Sequence, residues 1–435
     1  MPFEPRRIDH RLTPLLAPRS IAVVGASPRE GSQFGRLRAS LAEAGFTGPV
    51  HAVNPRYEAI DGLPCYPGLA DVPGGVDLAV LSVADTRLEE NVAAAIEAGT
   101  GALSIFGSCL IEEDATPKLA ERLSAMAREA KLPINGGNCL GFCNYEARIN
   151  INPGPFAGRT PGGITFLGHS GSVFGAMTGT DARFGLNLAV SCGRELSTSV
   201  ADYMDYALEF GTTRVFALFL ETVRDPEGFV AALEKAADRG VPVVALKTGR
   251  SEAAARMAVS HSGALAGDDK AYDALFRRYG VQRVDDLDEL VASALLLERA
   301  QDVGPGGIAS IHDSGGEREL IADMAETFGV RFAEIGEGTV TRLAERLEYG
   351  LEPENPCDAY GTGKDFDGIA RDCFAALLAD EDTALGLYVL DVQQGGAYFR
   401  ALVDACRAAA ATSDKPVAIV SNYSGLDNRE LGIET

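Results

Sequence analysis

The chain has no tryptophan, and aromatic residues make up only 7% of its 435 positions. No apolar run approaches the roughly 18 residues that a membrane-spanning helix needs. The first residues, Met1-Pro2-Phe3-Glu4-Pro5-Arg6-Arg7, lack the apolar core of a secretory signal. No membrane partner is expected, and the expected location is the cytoplasm. Positive charge is also scarce: 39 Lys and Arg face 62 Asp and Glu, a formal net charge of −23. A nucleic-acid surface needs a basic face, so nucleic acid is excluded as a partner. An anionic ligand must then be held by local helix ends and a few Arg or Lys side chains.

Paired cysteine motifs are missing too. Cys65, Cys109, Cys139, Cys143, Cys192, Cys357, Cys373 and Cys406 are scattered, mostly in apolar strand or helix patterns. This distribution fits reduced, buried thiols in a cytosolic enzyme. Cys139 and Cys143 lie closest together but have no second pair nearby, which argues against zinc. No metal site is expected.

An apolar content of 46% and 49 glycines indicate a packed α/β protein, and the length suggests about three domains. Buried strands are expected at Ile21-Ala22-Val23-Val24, Val50-His51-Ala52-Val53, 78–83, 102–106 and 133–135. Helices are expected near 35–44, 87–98 and 117–130. This alternation predicts a parallel, doubly wound, Rossmann-like sheet with ligands at the strand carboxyl ends. The Pro- and Gly-rich run 153–163 reads as a linker. A second α/β unit follows, with strands at 164–167, 186–191, 215–220 and 241–246. A third begins after Pro305-Gly306-Gly307, with strands at 308–311, 385–391 and 416–421. Both later units read as flavodoxin-like. The expected domains are 1–152, 163–302 and 306–435.

The turn after the first strand carries Gly25, Gly31 and Gly35, a spacing that is not G-x-G-x-x-G. The second strand ends in Asn54-Pro55-Arg56, where an NAD enzyme places an acidic residue for the ribose hydroxyls. Arg56 suits a phosphorylated ribose, as in NADP or coenzyme A, or else it is a solvated surface side chain.

Two further turns share a pattern. Gly168-His169-Ser170-Gly171-Ser172 and Ser260-His261-Ser262-Gly263 each place a histidine before Ser-Gly after a hydrophobic segment. A helix starting there presents free N–H groups and a positive dipole end to phosphate. Two such starts would clamp a phosphate, with histidine as its covalent carrier. The plainer alternative is two ordinary strand-to-helix turns with surface histidines.

Seven stretches together resemble one family. They are Gly25-Ala26-Ser27, Val53-Asn54-Pro55, Asn138-Cys139-Leu140-Gly141, His169-Ser170-Gly171, Leu246-Lys247-Thr248-Gly249-Arg250, Ser260-His261-Ser262-Gly263 and Asn355-Pro356-Cys357-Asp358. Their order resembles that of the NDP-forming acyl-CoA synthetases, relatives of succinyl-CoA synthetase, over essentially the whole chain. The resemblance implies an acid–thiol ligase that converts a carboxylic acid, CoA and ATP to acyl-CoA, ADP and phosphate. It implies that His261 is the phosphorylated residue and that Glu221 holds the other ring nitrogen. Phosphoryl transfer needs one lone pair free, and a carboxylate on the opposite N–H fixes the tautomer and steadies the imidazolium. The alternative for Glu221 is a strand-end ion pair with Arg224 or Lys247. Ser170, Gly171, Ser172, Ser262 and Gly263 match the helix starts around the phosphate. Gly25, Ser27, Arg29, Gly35, Asn54, Pro55, Arg56, Val83 and Asn138 match the CoA site.

Three departures stand out. His169 occupies a position usually held by Gln, either bordering the phosphate or replacing that Gln as a neutral hydrogen-bond donor. Gly136-Gly137 replaces Gly-Pro, and His312-Asp313-Ser314-Gly315-Gly316-Glu317-Arg318 is more charged than the usual Asn-x-Gly-Gly loop. The resemblance places ATP or ADP with Mg2+ on an ATP-grasp module, and no such module is visible in the sequence. The expectation is therefore an ATP-grasp subunit or further domain, and an oligomer. Two other readings stay open: a CoA-binding regulatory module without turnover, and an NADP-linked oxidoreductase.

Overall fold

The computed structural model describes residues 6–152, 161–179, 184–251, 253–254, 268–300, 303–390 and 396–421. The chain divides into two compact units, Met1–Glu298 and Arg299–Thr435.

In the first unit, α1 (Thr13–Leu16) precedes β1 (Ile21–Val24), α2 (Gln33–Ala44), β2 (Val50–Val53), β3 (Ala59–Ile60), β4 (Leu63–Tyr66) and β5 (Leu78–Leu81). Then come α3 (Leu88–Glu97), β6 (Ala102–Ile105), α4 (Leu119–Glu129) and β7 (Ile134–Gly136). The strands lie in the order β3-β4-β2-β1-β5-β6-β7, and only the β3–β4 pair is antiparallel. From β4 to β7 this is the Rossmann order, which reverses direction between β1 and β5. β1 and β5 are apolar and buried along their whole length, as strands covered on both faces must be. Local signals set the first helix: the Ser32 hydroxyl accepts the Gly35 N–H, and Gly45 ends α2 in the left-handed conformation.

The second sheet of this unit starts earlier than the linker suggests. β8 (Phe142–Asn144) and β9 (Ile149–Asn150) form a hairpin inside the range expected for the first domain, yet β8 pairs antiparallel with β11 (Leu186–Ser191). Its apolar residues Phe142, Ile149 and Ile151 are fully buried, so the hairpin goes where it covers that core. The other elements are β10 (Ile164–Gly168), α5 (Gly171–Gly179), α6 (Val200–Phe210), β12 (Val215–Leu220), α7 (Pro226–Asp238) and β13 (Val243–Lys247). After these come α8 (Asp269–Tyr279), β14 (Gln282–Val284) and α9 (Leu287–Arg299). The order is β14-β13-β12-β10-β11-β8-β9. Its parallel part is flavodoxin-like, and its direction reverses between β10 and β12.

The second unit holds β15 (Gly307–His312), α10 (Gly315–Phe328), α11 (Glu337–Arg346), β16 (Cys357–Asp358), α12 (Phe366–Leu378), β17 (Thr383–Val389), α13 (Ala397–Ala410) and β18 (Val417–Val420). Its parallel sheet has the order β16-β15-β17-β18, again flavodoxin-like. All eight cysteines are buried and none is in a disulfide. Burial pushes the thiols of Cys109 and Cys139 up to about 12, so both stay protonated.

Candidate functional site

In open α/β sheets, ligands bind outside the strand carboxyl ends where the strand order reverses. The first unit has two such places, and the described site residues expected from the sequence, Asn138 apart, divide between them.

At the β1/β5 reversal, the Gly25 N–H donates to Val53 O at 2.9 Å, carrying the β1–β2 pairing one residue further. Gly25 has φ +86, and a Cβ there would lie 2.3 Å from the Ser82 carbonyl oxygen. Only glycine fits that approach, and it lets half-buried backbone turn tightly at the strand end. Val83 follows at the end of β5. Asn54 closes the other side: its Nδ2 donates to Ala26 O at 2.8 Å, and its Oδ1 accepts the Arg56 N–H at 3.0 Å. Ser27 Oγ accepts the Arg29 N–H at 3.3 Å. Pro55, Arg56 and Arg29 are exposed beside this edge. Gly35 lies in the first turn of α2, where Ser32 caps the helix. The structure thus gathers Gly25, Ser27, Arg29, Gly35, Asn54, Pro55, Arg56 and Val83 around one helix start. Asn138 lies apart, past the end of β7, two strands beyond β5. Its N–H donates to Gly107 O at 2.6 Å.

At the β10/β12 reversal, His169 and Glu221 each sit one residue beyond their strand. The His169 N–H donates to Phe219 O at 3.1 Å, and the Glu221 N–H donates to Nδ1 of His169 at 3.2 Å. A neutral imidazole that accepts at Nδ1 carries its proton on Nε2. Nε2 is buried and lies 3.5 Å from Oε2 of Glu195. Ser170 caps α5, its Oγ accepting the Val173 N–H at 3.3 Å, and Gly171 and Ser172 form the first turn. The first-turn N–H groups and dipole of α5 therefore lie beside Glu221. His261, Ser262 and Gly263 lie outside the described residues.

Two residues of this second edge, Glu195 and Tyr272, carried no sequence signal that singled them out, and Lys247 of the motif stretch 246–250 joins them there. Glu195 is buried at φ +53, and its Oε1 accepts the N–H of Val200, the first residue of α6, at 2.5 Å. Tyr272 accepts the Val223 N–H at 3.1 Å through its hydroxyl. Lys247, paired in register with Leu220, is buried, and that burial lowers its proton affinity. A Gly followed by a charged residue after a buried strand is the one local hint at Glu195.

Two domain models match the chain: a CoA binding domain over residues 19–145 and a succinyl-CoA ligase like flavodoxin domain over 161–297. The ADP-forming acetate–CoA ligase I of Archaeoglobus fulgidus is 33% identical over 80% of this chain and 50% of that protein. Subunit alpha of the ADP-forming acetate–CoA ligase II of Pyrococcus furiosus is 29% identical over 81% of this chain and 78% of that subunit. Among solved structures, the dinucleotide forming acetyl-coenzyme A synthetase 1 of Ca. Korarchaeum cryptofilum, in complex with phosphate and ADP, superposes with a TM-score of 0.82. It is 25% identical and covers 97% of this chain and 90% of that one. The chain spans about half the length of the longer curated relatives it matches.

Fold and site thus define a CoA-binding Rossmann domain joined to a succinyl-CoA ligase-like flavodoxin domain. The chain belongs to the NDP-forming acyl-CoA synthetase family of the succinyl-CoA synthetase superfamily.

Proposed function

We propose that this chain is the CoA-binding, phosphate-carrying part of an acid–thiol ligase that makes acyl-CoA from a carboxylic acid, CoA and ATP. His261 accepts the terminal phosphoryl group of ATP, releasing ADP. The acid's carboxylate then takes that group from His261, giving an acyl phosphate and restoring the imidazole. The CoA thiolate attacks the acyl carbon, and phosphate leaves. ATP and Mg2+ are held by an ATP-grasp module, supplied by a partner subunit or a further domain. The buried, protonated thiols fit a cytoplasmic enzyme.

The observation that carries the reading is Glu221 beside the start of α5 at the β10/β12 reversal. A carboxylate there can hold one N–H of an incoming imidazole while the helix end takes the phosphate on the other nitrogen. Gly25, Ser27, Arg29, Gly35, Asn54, Pro55, Arg56 and Val83 would hold CoA on the first sheet, with Asn138 bordering it. The Gly25 backbone supplies a close approach and Arg29 and Arg56 supply charge for its phosphates. Ser170, Gly171 and Ser172, with Ser262 and Gly263, would surround the transferred phosphate.

Incubation with labelled ATP and an ATP-grasp partner from a relative tests this. An acid-labile, base-stable label is expected on the wild type and not on His261→Asn. No such label on the wild type sinks the ligase. Tight CoA binding without label would leave a regulatory CoA-binding module. Preferential NADP binding in a parallel titration would point to an oxidoreductase.

A further inference from the structure

We infer that Glu195 is a positioning residue for Glu221, acting through the ring of His169. The inference rests on the ligase reading for the importance of Glu221, while the geometry stands by itself. The ring of His169 lies between two groups. Nδ1 accepts the Glu221 N–H at 3.2 Å, and Nε2 faces Oε2 of Glu195 at 3.5 Å. Their side chains are only 3% and 1% exposed. Among the described residues, neither Nε2 nor Oε2 has a hydrogen-bond partner, and at 3.5 Å each is the polar group nearest to supplying one for the other. Each is the group placed to satisfy the other, because water is excluded from both.

Glu195 is held firmly. Its Oε1 takes the first N–H of α6, and Arg224 Nε lies 3.8 Å from Oε2. Its backbone is left-handed, a conformation non-glycine residues adopt only when their surroundings impose it. Its loop is also tied to the first sheet. The Arg194 N–H donates to Gly137 O at 2.8 Å and the Leu196 N–H to Gly136 O at 3.1 Å, in the loop that carries Asn138. A continuous line of contacts therefore runs from the loop of Asn138 through Glu195 and His169 to Glu221.

The chemistry requires a carboxylate at 195. Both of its oxygens face N–H donors, Val200 on one side and His169 Nε2 on the other. An isosteric amide has one acceptor and one donor. With its oxygen on Val200, its NH2 group opposes Nε2–H and drives the proton to Nδ1, where it opposes the Glu221 N–H. Glu195→Gln therefore unsettles Glu221 without opening a cavity. His169→Gln keeps the line intact, since an amide can accept from Glu221 and donate to Glu195. His169→Leu can do neither.

The test uses the full chain labelled with 15N-histidine. Long-range proton–nitrogen correlations report each ring's tautomer, and the His169 signal is the one missing in His169→Gln. The expected result is an Nε2–H tautomer in the wild type and an Nδ1–H form in Glu195→Gln. Turnover with the ATP-grasp partner should fall about five- to tenfold in Glu195→Gln, with KM for CoA within about twofold of wild type, the effect of one lost hydrogen bond felt only in the transition state. An unchanged tautomer in Glu195→Gln, or a shifted tautomer with unchanged turnover, overturns the positioning role. A shifted tautomer with no phosphorylation of any form, wild type included, overturns the ligase reading and leaves the geometry standing. If Glu195→Gln does not fold, turnover retained by His169→Gln and lost by His169→Leu supports the role, and equal turnover of the two overturns it.

Discussion

The ammonium of Lys247 lies 4.6 Å from the ring centroid of Tyr272, and the hydroxyl of that ring accepts the N–H of Val223. The exit of β12 is thereby gripped from the α8 side as His169 grips it from the β10 side. The Thr248 N–H adds a bond to Leu220 O at 2.9 Å. Glu221 thus projects from backbone that is fixed on both sides, as a group acting on a developing charge should be. Tyr272→Phe keeps the ring under the ammonium but leaves Val223 N–H without its acceptor, a loss of about 1 kcal/mol. Amide exchange at Val223 should quicken roughly fivefold in this variant, following that loss. Tyr272→Leu also removes the cation–π contact and should cost about 1 kcal/mol more. Equal exchange rates in wild type and Tyr272→Phe would show that the hydroxyl contact holds nothing.

Glu221→Gln preserves size and removes charge. If Glu221 steadies the imidazolium of His261, the change removes a charge-assisted hydrogen bond worth about 1.5–3 kcal/mol. Phosphoryl transfer should slow roughly ten- to a hundredfold. CoA affinity should stay nearly constant, because its residues gather on the other sheet and distant sites act independently. Rapid-quench phosphorylation with calorimetric CoA titration measures both. A matched fall in the two would place Glu221 in the fold of the whole unit instead of in the transfer step.

Gly25 and Gly35 looked alike in sequence, as glycines of one turn, and the structure separates them. A methyl group at Gly25 meets a backbone carbonyl at 2.3 Å and sits on a left-handed backbone, whereas at Gly35 its nearest neighbour is Ser32 Oγ at 3.5 Å. Gly25→Ala should cost at least about 2 kcal/mol from conformation and clash together, and weaken CoA binding. Gly35→Ala should be stable or gain about 0.5–1 kcal/mol, since alanine suits a helix. Thermal unfolding and CoA titration of the two variants side by side give the answer, and equal effects would contradict this geometry.

That contrast shows what could be read in advance. Strand runs such as Ile21–Val24, Leu186–Ser191 and Val215–Leu220 announce themselves by continuous apolar residues bounded by turn signals, so Gly25, Asn54 and His169, just past such runs, were legible as site candidates from the residues, whereas Glu221 stood out only through the family resemblance. Glu195 was not, because its role depends on long-range contacts. Its charge reads as a surface residue until α6 and His169 close over it. The hairpin of β8 and β9 was missed because its strands are only three and two residues long and β8 finds its partner 44 to 48 residues downstream (188 − 144 and 190 − 142). Whether His169 is a neutral bridge or a phosphate neighbour also hung on tertiary contacts, namely what sits on its two nitrogens.

The second unit contains a histidine with a pH consequence of its own. His312 ends β15, where Nε2 lies 2.9 Å from Ser310 Oγ and Nδ1 is buried without a partner among the described residues. Burial, with a smaller contribution from the Arg318 charge, lowers its pKa from 6.5 to about 4. The folded value lies below the unfolded one, so the unfolded chain takes up the proton first as pH falls. The stability associated with neutral His312 is present above about pH 6.5 and is lost progressively down to about pH 4. Between pH 7 and pH 5 that loss amounts to about 2 kcal/mol. His312→Gln does not titrate there, while the carboxylates of the unit titrate in both proteins. The difference between them therefore isolates this ring. Native-state hydrogen exchange at Tyr388, in the neighbouring strand β17, reports the opening of this sheet. Wild type should lose about 2 kcal/mol more than His312→Gln over that pH interval. Parallel losses in the two proteins would mean that His312 protonates as easily in the folded unit as in the unfolded chain.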